Sequence, residues 1–146
     1  MCIALGCDHR GFRIKQAIIN FLPKLGHSYH DFGCYSDDSV DYPDIAQEVS
    51  EAGVSGESDH GILICSTGIG MSIAANKLKG VRAALCHDVF TAQRARQHNN
   101  ANILCLRGEN VEVNSALEIV NAYLSTSFEG GRHIQRLNKI KALELH

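Results

Sequence analysis

The sequence has no long apolar segment, no excess of basic residues and no Cys-x-x-Cys pair. None of its apolar runs approaches the roughly 20 residues that span a membrane, so we predict no membrane partner. Lys and Arg number 14 against 16 Asp and Glu, which argues against nucleic acid as a partner. The first residues, MCIALGCDHRG, lack the charged region and cleavage site of a secretory leader. We therefore expect the six cysteines to be reduced thiols in a cytoplasmic protein.

The chain has the length and apolar content of one ordinary domain. It has 146 residues, of which 45% are hydrophobic. A domain of this length buries roughly 68–70% of the surface of its unfolded chain, which is enough for a substantial core. No linker or low-complexity segment interrupts the sequence, so we predict a single domain over residues 1–146.

The stretch GILICSTGIGMSIAANK, residues 61–77, has the pattern of a buried strand, a tight loop and a helix. The N–H groups of such a loop lack helical carbonyl partners and attract negative charge. The thiol of Cys65 ends the strand, where open α/β sheets bind ligands. The pattern predicts a base or nucleophile beside an anion-binding loop. A structural glycine turn with a buried, inert cysteine gives the same pattern, and this alternative stays open here.

Two common phosphate-binding motifs do not fit this loop. The dinucleotide fingerprint needs a third glycine, but Gly68 and Gly70 are followed by Met71, Ser72 and Ile73. The phosphate loop of nucleotide hydrolases needs Gly-Lys-Ser/Thr, which is absent. Neither motif therefore predicts a bound nucleotide.

The rest of the chain repeats the alternation of strands and helices. We predict strands over 1–7, 28–32, 62–65, 81–86 and 102–106, and helices over 12–25, 43–52, 71–77, 89–98, 113–125 and 132–145. Such alternation indicates a parallel sheet with helices on both faces. The predicted fold is a Rossmann-like, three-layer α/β/α sandwich with a five-stranded parallel sheet and an extra C-terminal helix. That helix has little left to cover, so we expect it to pack on another subunit.

Polar side chains follow several of the predicted strands. Asp8 and His9 follow the first strand, Cys65 ends the third, and Arg107 follows the fifth. The C-terminal ends of parallel strands lie together, so these side chains are expected at one end of the sheet. His98 ends the fourth helix and falls at the opposite end, unless that helix is short or another subunit brings His98 round.

Some of these residues also have plain structural explanations. Asp8 is a suitable cap for the first helix, and His9 suits an exposed loop. Arg132 and Arg136 are spaced i, i+4 on the last helix and suit a phosphate, although such pairs are usually a solvated face. The other histidines, His27, His30 and His60, match no standard ligand spacing. We predict no metal site and no cofactor.

Five segments in order along nearly the whole chain resemble ribose-5-phosphate isomerase type B. They are Gly6-Cys7-Asp8-His9, Asp41-Tyr42-Pro43, Cys65-Ser66-Thr67-Gly68-Ile69-Gly70 with Ala74-Ala75-Asn76-Lys77, Arg96-Gln97-His98-Asn99, and Glu129-Gly130-Gly131-Arg132-His133 followed by Arg136. Each segment is weak alone, and together they are highly specific. The family includes close relatives that act on allose 6-phosphate or galactose 6-phosphate.

The resemblance implies an aldose–ketose isomerase that works through a cis-enediolate. Cys65 would be the base that moves the proton between neighbouring carbons. His98 would protonate the ring oxygen to open the sugar. The enediolate charge would be stabilised by the Thr67 hydroxyl and by the amides of Ser66, Thr67, Gly68, Ile69 and Gly70.

The resemblance also implies a substrate grip shared between subunits. Asp8 would orient the sugar hydroxyls, and His9, Arg132 and Arg136 would hold the phosphate. Tyr42 and Asn99 lie in the matched motifs and are expected to bind substrate as well. Sites in this family lie between two subunits, so the resemblance implies a homodimer or tetramer and removes the difficulty over His98.

Two positions distinguish this chain within the family. One branch has a glutamate as base just past the glycine loop, where this chain has Met71, so the chain resembles the cysteine branch. The family usually has an arginine at the position of Glu109, and here the nearest arginine is Arg107. One sugar or phosphate contact is therefore expected to differ. Three hypotheses stay open: a five-carbon isomerase, a six-carbon isomerase, and a non-catalytic binding module.

Overall fold

The computed structural model describes residues 1–145 and contains one five-stranded parallel sheet. The strands are β1 (Cys2–Cys7), β2 (Ser28–Asp31), β3 (His60–Cys65), β4 (Ala83–Leu85) and β5 (Ile103–Arg107). The α-helices are α1 (Phe12–Phe21), α2 (Tyr42–Ser55), α3 (Ile69–Ala75), α4 (Val89–Gln97), α5 (Val113–Leu124) and α6 (His133–Leu143). The strand order is β2-β1-β3-β5-β4, so β3 is central and β5 lies between β3 and β4.

Helices cover both faces of the sheet, which confirms the predicted three-layer sandwich. Side chains alternate along each strand. In β3, Ile62 and Ile64 pack with α1, α4 and α5, whereas Leu63 and Cys65 pack with α2 and α3. No residue of α6 belongs to either core cluster of the described chain. The side chain of Cys65 therefore lies on the face covered by α2 and α3.

Helix boundaries follow the local sequence signals, with shifts of a few residues. Because Pro23 cannot continue an α-helix, α1 ends at Phe21 and a 3₁₀ turn covers Leu22–Leu25. Gly26 ends that turn with φ of 83°, a conformation that favours glycine. Helix α3 begins at Ile69, two residues earlier than predicted, so the glycine loop is shorter than expected.

Helix α6 lies largely outside the core. His133 is its only buried residue, while Ile134 is 50% and Leu143 67% exposed. The apolar residues that the sequence analysis left without a place in their own subunit are therefore exposed in the single chain. None of the helices in residues 1–145 has the length and hydropathy needed to cross a bilayer.

A buried lysine, which the sequence analysis missed, fixes the segment after β2. The Lys15 side chain is fully buried, and its Nζ donates to the Asp31 carboxylate at 2.7 and 2.8 Å and to the Cys34 carbonyl. The ion pair and the carbonyl together satisfy a charge that burial would otherwise penalise. Lys15 thus ties α1 to the start of the loop that leads to α2.

A second buried polar group gives the fold a pH dependence. His60 Nδ1 lies 3.0 Å from the Tyr123 hydroxyl, which itself donates to the Ala101 carbonyl at 2.8 Å. The histidine Nδ1–H is therefore the donor to Tyr123. Burial, together with the nearby Arg96 charge, lowers the pKa of His60 to about 4 from its usual 6.5.

We expect this histidine to destabilise the fold as the pH falls. Below about pH 6.5 His60 is protonated in the unfolded chain, whereas in the folded chain it stays neutral down to about pH 4. The free energy of unfolding therefore decreases as the pH falls from about 6.5 to about 4. Replacing His60 with Gln keeps a donor for Tyr123 but removes the titration. Between pH 7.5 and 5, we expect the wild-type chain to lose about 1 kcal/mol more unfolding free energy than His60→Gln, after allowance for solvent screening.

Urea unfolding of both chains at the two pH values measures this difference. Other titrating groups contribute equally to both chains and cancel in the comparison. Parallel pH profiles for His60→Gln and the wild-type chain would contradict the role of His60.

Candidate active site

Asp8 and Cys65 are neighbours at the C-terminal end of the sheet. Cys7 of β1 is paired with Ile64 of β3, and the Asp8 N–H donates to the Ile64 carbonyl at 3.1 Å. Asp8 and Cys65 are each one residue further along, and both are nearly buried, with exposures of 6% and 4%. The order of the sheet reverses between β1 and β3, which is where open α/β sheets bind ligands.

The loop after β3 directs backbone N–H groups at its own side chains. The Gly68 N–H donates to the Cys65 sulfur at 3.2 Å, and the Ile69 N–H donates to the Thr67 hydroxyl at 3.1 Å. The first helical bond of α3 runs from the Ser72 N–H to the Gly68 carbonyl at 3.1 Å. The amides of Gly70 and Met71 precede that bond and have no carbonyl within the helix. The loop can therefore stabilise a thiolate and still present amides to an anion.

Both glycines of this loop stand where a side chain would collide. Gly68 has φ of 80°, and a Cβ there would lie 2.5 Å from the Leu85 side chain. A Cβ on Gly70 would lie 2.6 Å from the ring of Tyr42. Tyr42, at the start of α2, is thus packed against the loop as one wall of the site.

The loops after β1 and β5 meet beside the same site. Asp8 also caps the turn of His9–Gly11, since its Oδ1 accepts the Arg10 N–H at 2.9 Å. The Gly108 N–H donates to the Cys65 carbonyl at 2.7 Å. The structural and functional explanations of Asp8 are therefore compatible, because one carboxylate oxygen forms the cap.

Glu109 makes contacts here that the sequence analysis did not predict. Its carboxylate accepts from the Ser66 hydroxyl at 3.0 Å and from the Arg10 guanidinium at 2.9 Å. Arg107 directs its Nε to the Glu109 carbonyl oxygen at 3.0 Å. No local pattern connects residues 99 positions apart in the chain, so the pair of Arg10 and Glu109 carried no sequence signal.

The other predicted residues lie at the opposite end of the sheet. His98 leads through a short loop to Asn102, whose carbonyl accepts the Gly61 N–H at the start of β3. Four residue steps along β3 separate Gly61 from Cys65, a distance of about 13 Å. Asn99 lines a cavity of about 230 Å³ between α6 and the start of β4. Within one protomer, His98 and Asn99 are therefore not brought together with Cys65.

A second cluster forms around His98. Its ring stacks on that of His133, with centroids 4.3 Å apart. Glu129 Oε2 lies 4.0 Å from His98 Nε2 and 3.6 Å from His133 Nε2. The Glu129 N–H also donates to the Gln97 carbonyl at 3.0 Å. The start of α6, with Arg132 exposed beside it, is thereby held next to His98.

This cluster contains three groups of the kinds that bind metal ions. Burial and the charges of His98, Arg132 and Arg136 lower the pKa of His133, whereas Glu129 acts in the opposite direction. The two arginines beside the cluster favour an anion there over a metal ion. The i, i+4 spacing of Glu129 and His133 is the signal that could have revealed the cluster. The absence of a metal site remains a prediction.

The sequence and the fold are similar to those of known sugar-phosphate isomerases. The family model for ribose/galactose isomerases matches residues 3–140. A putative sugar phosphate isomerase of Bacillus subtilis is 48% identical over 145 residues, covering 99% of this chain and 97% of its own. Ribose-5-phosphate isomerase B of Escherichia coli is 46% identical over 142 residues, covering 97% and 95%.

A solved structure gives the same result. Ribose-5-phosphate isomerase B of Clostridium thermocellum superimposes with a TM-score of 0.97 at 48% identity, covering 99% of this chain and 98% of its own. The α/β fold is thus that of a sugar-phosphate isomerase. The chain belongs to the ribose/galactose isomerase family that includes ribose-5-phosphate isomerase type B.

Proposed function

We propose that the chain interconverts ribose 5-phosphate and ribulose 5-phosphate with Cys65 as the catalytic base. The observation that carries this proposal is the buried Cys65 sulfur, which accepts the Gly68 N–H at 3.2 Å beside Asp8. The thiolate removes the proton from C2 of the open-chain aldose, and the electron pair moves to the carbonyl oxygen on C1. The C2 hydroxyl proton passes to the oxygen on C1, which becomes a hydroxyl. The thiol then returns the carbon-bound proton to C1, and the oxygen on C2 becomes the new carbonyl.

The enediolate intermediate carries a negative charge that the loop after β3 is suited to stabilise. The amides of Gly70 and Met71 have no helical partners, and the Thr67 side chain is in an exposed position at the loop tip. Donors fixed in place before the reaction stabilise developing charge without reorganisation. In this proposal Asp8 orients the sugar hydroxyls with its second carboxylate oxygen, and Tyr42 forms the wall opposite.

Ring opening requires an acid/base group at the sugar ring oxygen, a role separate from that of Cys65. We assign it to His98 of a second protomer, with Asn99, Arg132 and Arg136 contributed by the same protomer. The exposed apolar residues of α6 support such an assembly, and so do Ile69, Ile73 and Phe90, which are each more than half exposed near the site. The proposed enzyme is therefore a homodimer, or a tetramer built from dimers, with shared sites.

The six cysteines are all free thiols in the structure. Free thiols are typical of a reducing compartment, which supports the proposal of a cytoplasmic enzyme. A thiol base also requires a reduced state to function.

A substrate panel tests the proposed function. Turnover of ribose 5-phosphate, allose 6-phosphate and galactose 6-phosphate is compared by kcat/KM on the wild-type chain. We expect ribose 5-phosphate to be preferred, with discrimination against one extra carbon of about 10–200-fold. Preference for a six-carbon substrate would replace the proposal with its closest alternative, and no turnover of any of the three would favour a non-catalytic binding module.

A further inference from the structure

The meeting point of the β1 and β5 loops contains a charged pair, Arg10 and Glu109, that has no role in the proposed function so far. A surface depression of about 520 Å³ lies there, with His9, Arg10 and Glu109 in its lining. Among the described residues, His9 Nδ1 is buried without a hydrogen-bond partner. Buried polar atoms are nearly always paired, so an unpaired ring nitrogen on a residue that lines a depression points to a ligand at that residue.

Both the carboxylate and the backbone N–H of Glu109 form hydrogen bonds, whereas most donors of the Arg10 side chain form none. Besides its carboxylate contacts to Ser66 and Arg10, Glu109 donates its N–H to the Ser66 carbonyl at 3.2 Å. The Arg10 side chain is 59% exposed. Its contact with Glu109 is the one side-chain hydrogen bond of Arg10 within residues 1–145. A guanidinium has five donors in a planar fork, so most of those on Arg10 are free.

We propose that Arg10 binds the phosphate of the substrate and that Glu109 is the positioning residue that holds Arg10 in place. This inference rests on the proposed function and adds two residues to it. Arg10 follows His9 in the same turn, so that turn presents an imidazole and a guanidinium to one anion. Both carboxylate oxygens of Glu109 already accept hydrogen bonds, so Glu109 acts on the ligand through Arg10. The hydrogen bond between Glu109 and Ser66 connects the proposed phosphate-binding residues to the loop beside Cys65.

The alternative is an ordinary surface ion pair, which contributes little to stability and nothing to ligand affinity. The two explanations differ in what Arg10→Ala does to phosphate binding. We expect the dissociation constant of inorganic phosphate and the KM for ribose 5-phosphate to rise about tenfold or more, because a charge-assisted contact is lost. The value of kcat should change by less than about threefold, because Arg10 does not touch the reacting carbons.

Calorimetric titration of the chain with inorganic phosphate measures the first quantity, and initial-rate kinetics measure the others. Lys24→Ala is the matched control, because it removes the same charge from an exposed turn at the other end of the sheet. It should leave all three values unchanged. Arg10→Lys should restore part of the phosphate affinity. A phosphate dissociation constant within about twofold of wild type in Arg10→Ala would overturn the inference.

Glu109→Gln tests the positioning role. It should raise the phosphate dissociation constant several-fold in the wild-type background and have little further effect in the Arg10→Ala background, because the two residues act as a unit. Tighter phosphate binding by Glu109→Gln would mean that the carboxylate repels the anion directly. Strictly additive effects would mean that the two residues act separately. Either result would overturn the positioning role.

The calorimetric measurement also separates this inference from the proposed function. If the wild-type chain isomerised none of the sugar phosphates, the proposed function would fail, but phosphate affinity would still test Arg10. If turnover were observed and phosphate affinity did not depend on Arg10, only the inference would fail.

Discussion

Replacing Cys65 with alanine should lower kcat/KM for ribose 5-phosphate by about 10²–10⁴-fold, the range for loss of a positioned base. The substitution removes one sulfur atom from a side chain that is almost fully buried. It leaves in place the loop amides and the basic residues expected to bind the phosphate. The dissociation constant of inorganic phosphate should therefore stay within about twofold of the wild-type value. Kinetics and calorimetry on the same preparation measure the two quantities.

Cys86→Ala is the control for the loss of a buried thiol. Cys86 is equally buried and follows β4 at the same end of the sheet, and burial raises its pKa to about 11. A thiol so hard to ionise is a poor base near neutral pH. Its removal should leave kcat/KM close to that of the wild-type chain. Residual activity of Cys65→Ala within tenfold of wild type would exclude Cys65 as the base.

Alkylation provides an independent measurement of the same residue. Cys2 is the only cysteine that is not buried, so the experiment uses the Cys2→Ala chain. Iodoacetamide should inactivate this chain, and bound ribose 5-phosphate should slow the inactivation. Mass spectrometry should find the label on Cys65.

Mixing two inactive chains, Cys65→Ala and Arg136→Ala, should restore part of the activity. Cys65 and the start of α6 lie at opposite ends of the sheet in one protomer. If each site combines Cys65 of one protomer with Arg136 of the other, a hybrid dimer has one site with both substitutions and one site with neither. Random exchange of equal amounts makes half of the dimers hybrid, so about a quarter of wild-type activity should return.

A second mixture provides the matched control. Asp8 lies next to Cys65 in the same protomer, so Asp8→Ala and Cys65→Ala disable the same part of the site. In a hybrid of these two chains, each site carries one of the two substitutions, and activity should not return. Subunit exchange is verified in both mixtures by native mass spectrometry. Failure of the first mixture despite complete exchange would assign Arg136 to the site of its own chain.

The sequence predicted the elements of this fold because its apolar periodicities are strong and each helix has clear boundary residues. Pro23 ended α1, and the run from Ile62 to Cys65 formed the central strand. Asp8 and Cys65 were expected together because parallel strands end on the same side. The strand order was not predicted, since the pairing of β5 between β3 and β4 depends on contacts across the whole chain.

The missed parts of the site have one physical cause. Two ion pairs, Arg10 with Glu109 and Lys15 with Asp31, form only after the strands have paired. From the sequence alone, a charged residue next to an apolar stripe is predicted to be exposed. The separation of His98 from Cys65 was predicted correctly from topology alone. The pairing of Cys65 with a His98 from the same or another protomer depends on the interface between subunits. Sequence patterns within one chain do not predict that interface.

The strand order also constrains how the chain assembles during synthesis. β1 pairs with both β2 and β3, so residues 1–65 can form a three-stranded sheet as they emerge from the ribosome. β4 cannot pair when it is synthesised, because its only strand neighbour is β5, which begins about 20 residues later at Ile103. Until β5 inserts beside β3, both β3 and β4 present an open edge, and such edges are where chains aggregate. The insertion of β5 therefore covers the edge of β3 and joins β4 to the sheet. It also brings the Glu109 loop beside Cys65, so completion of the core and assembly of the site occur in the same late step.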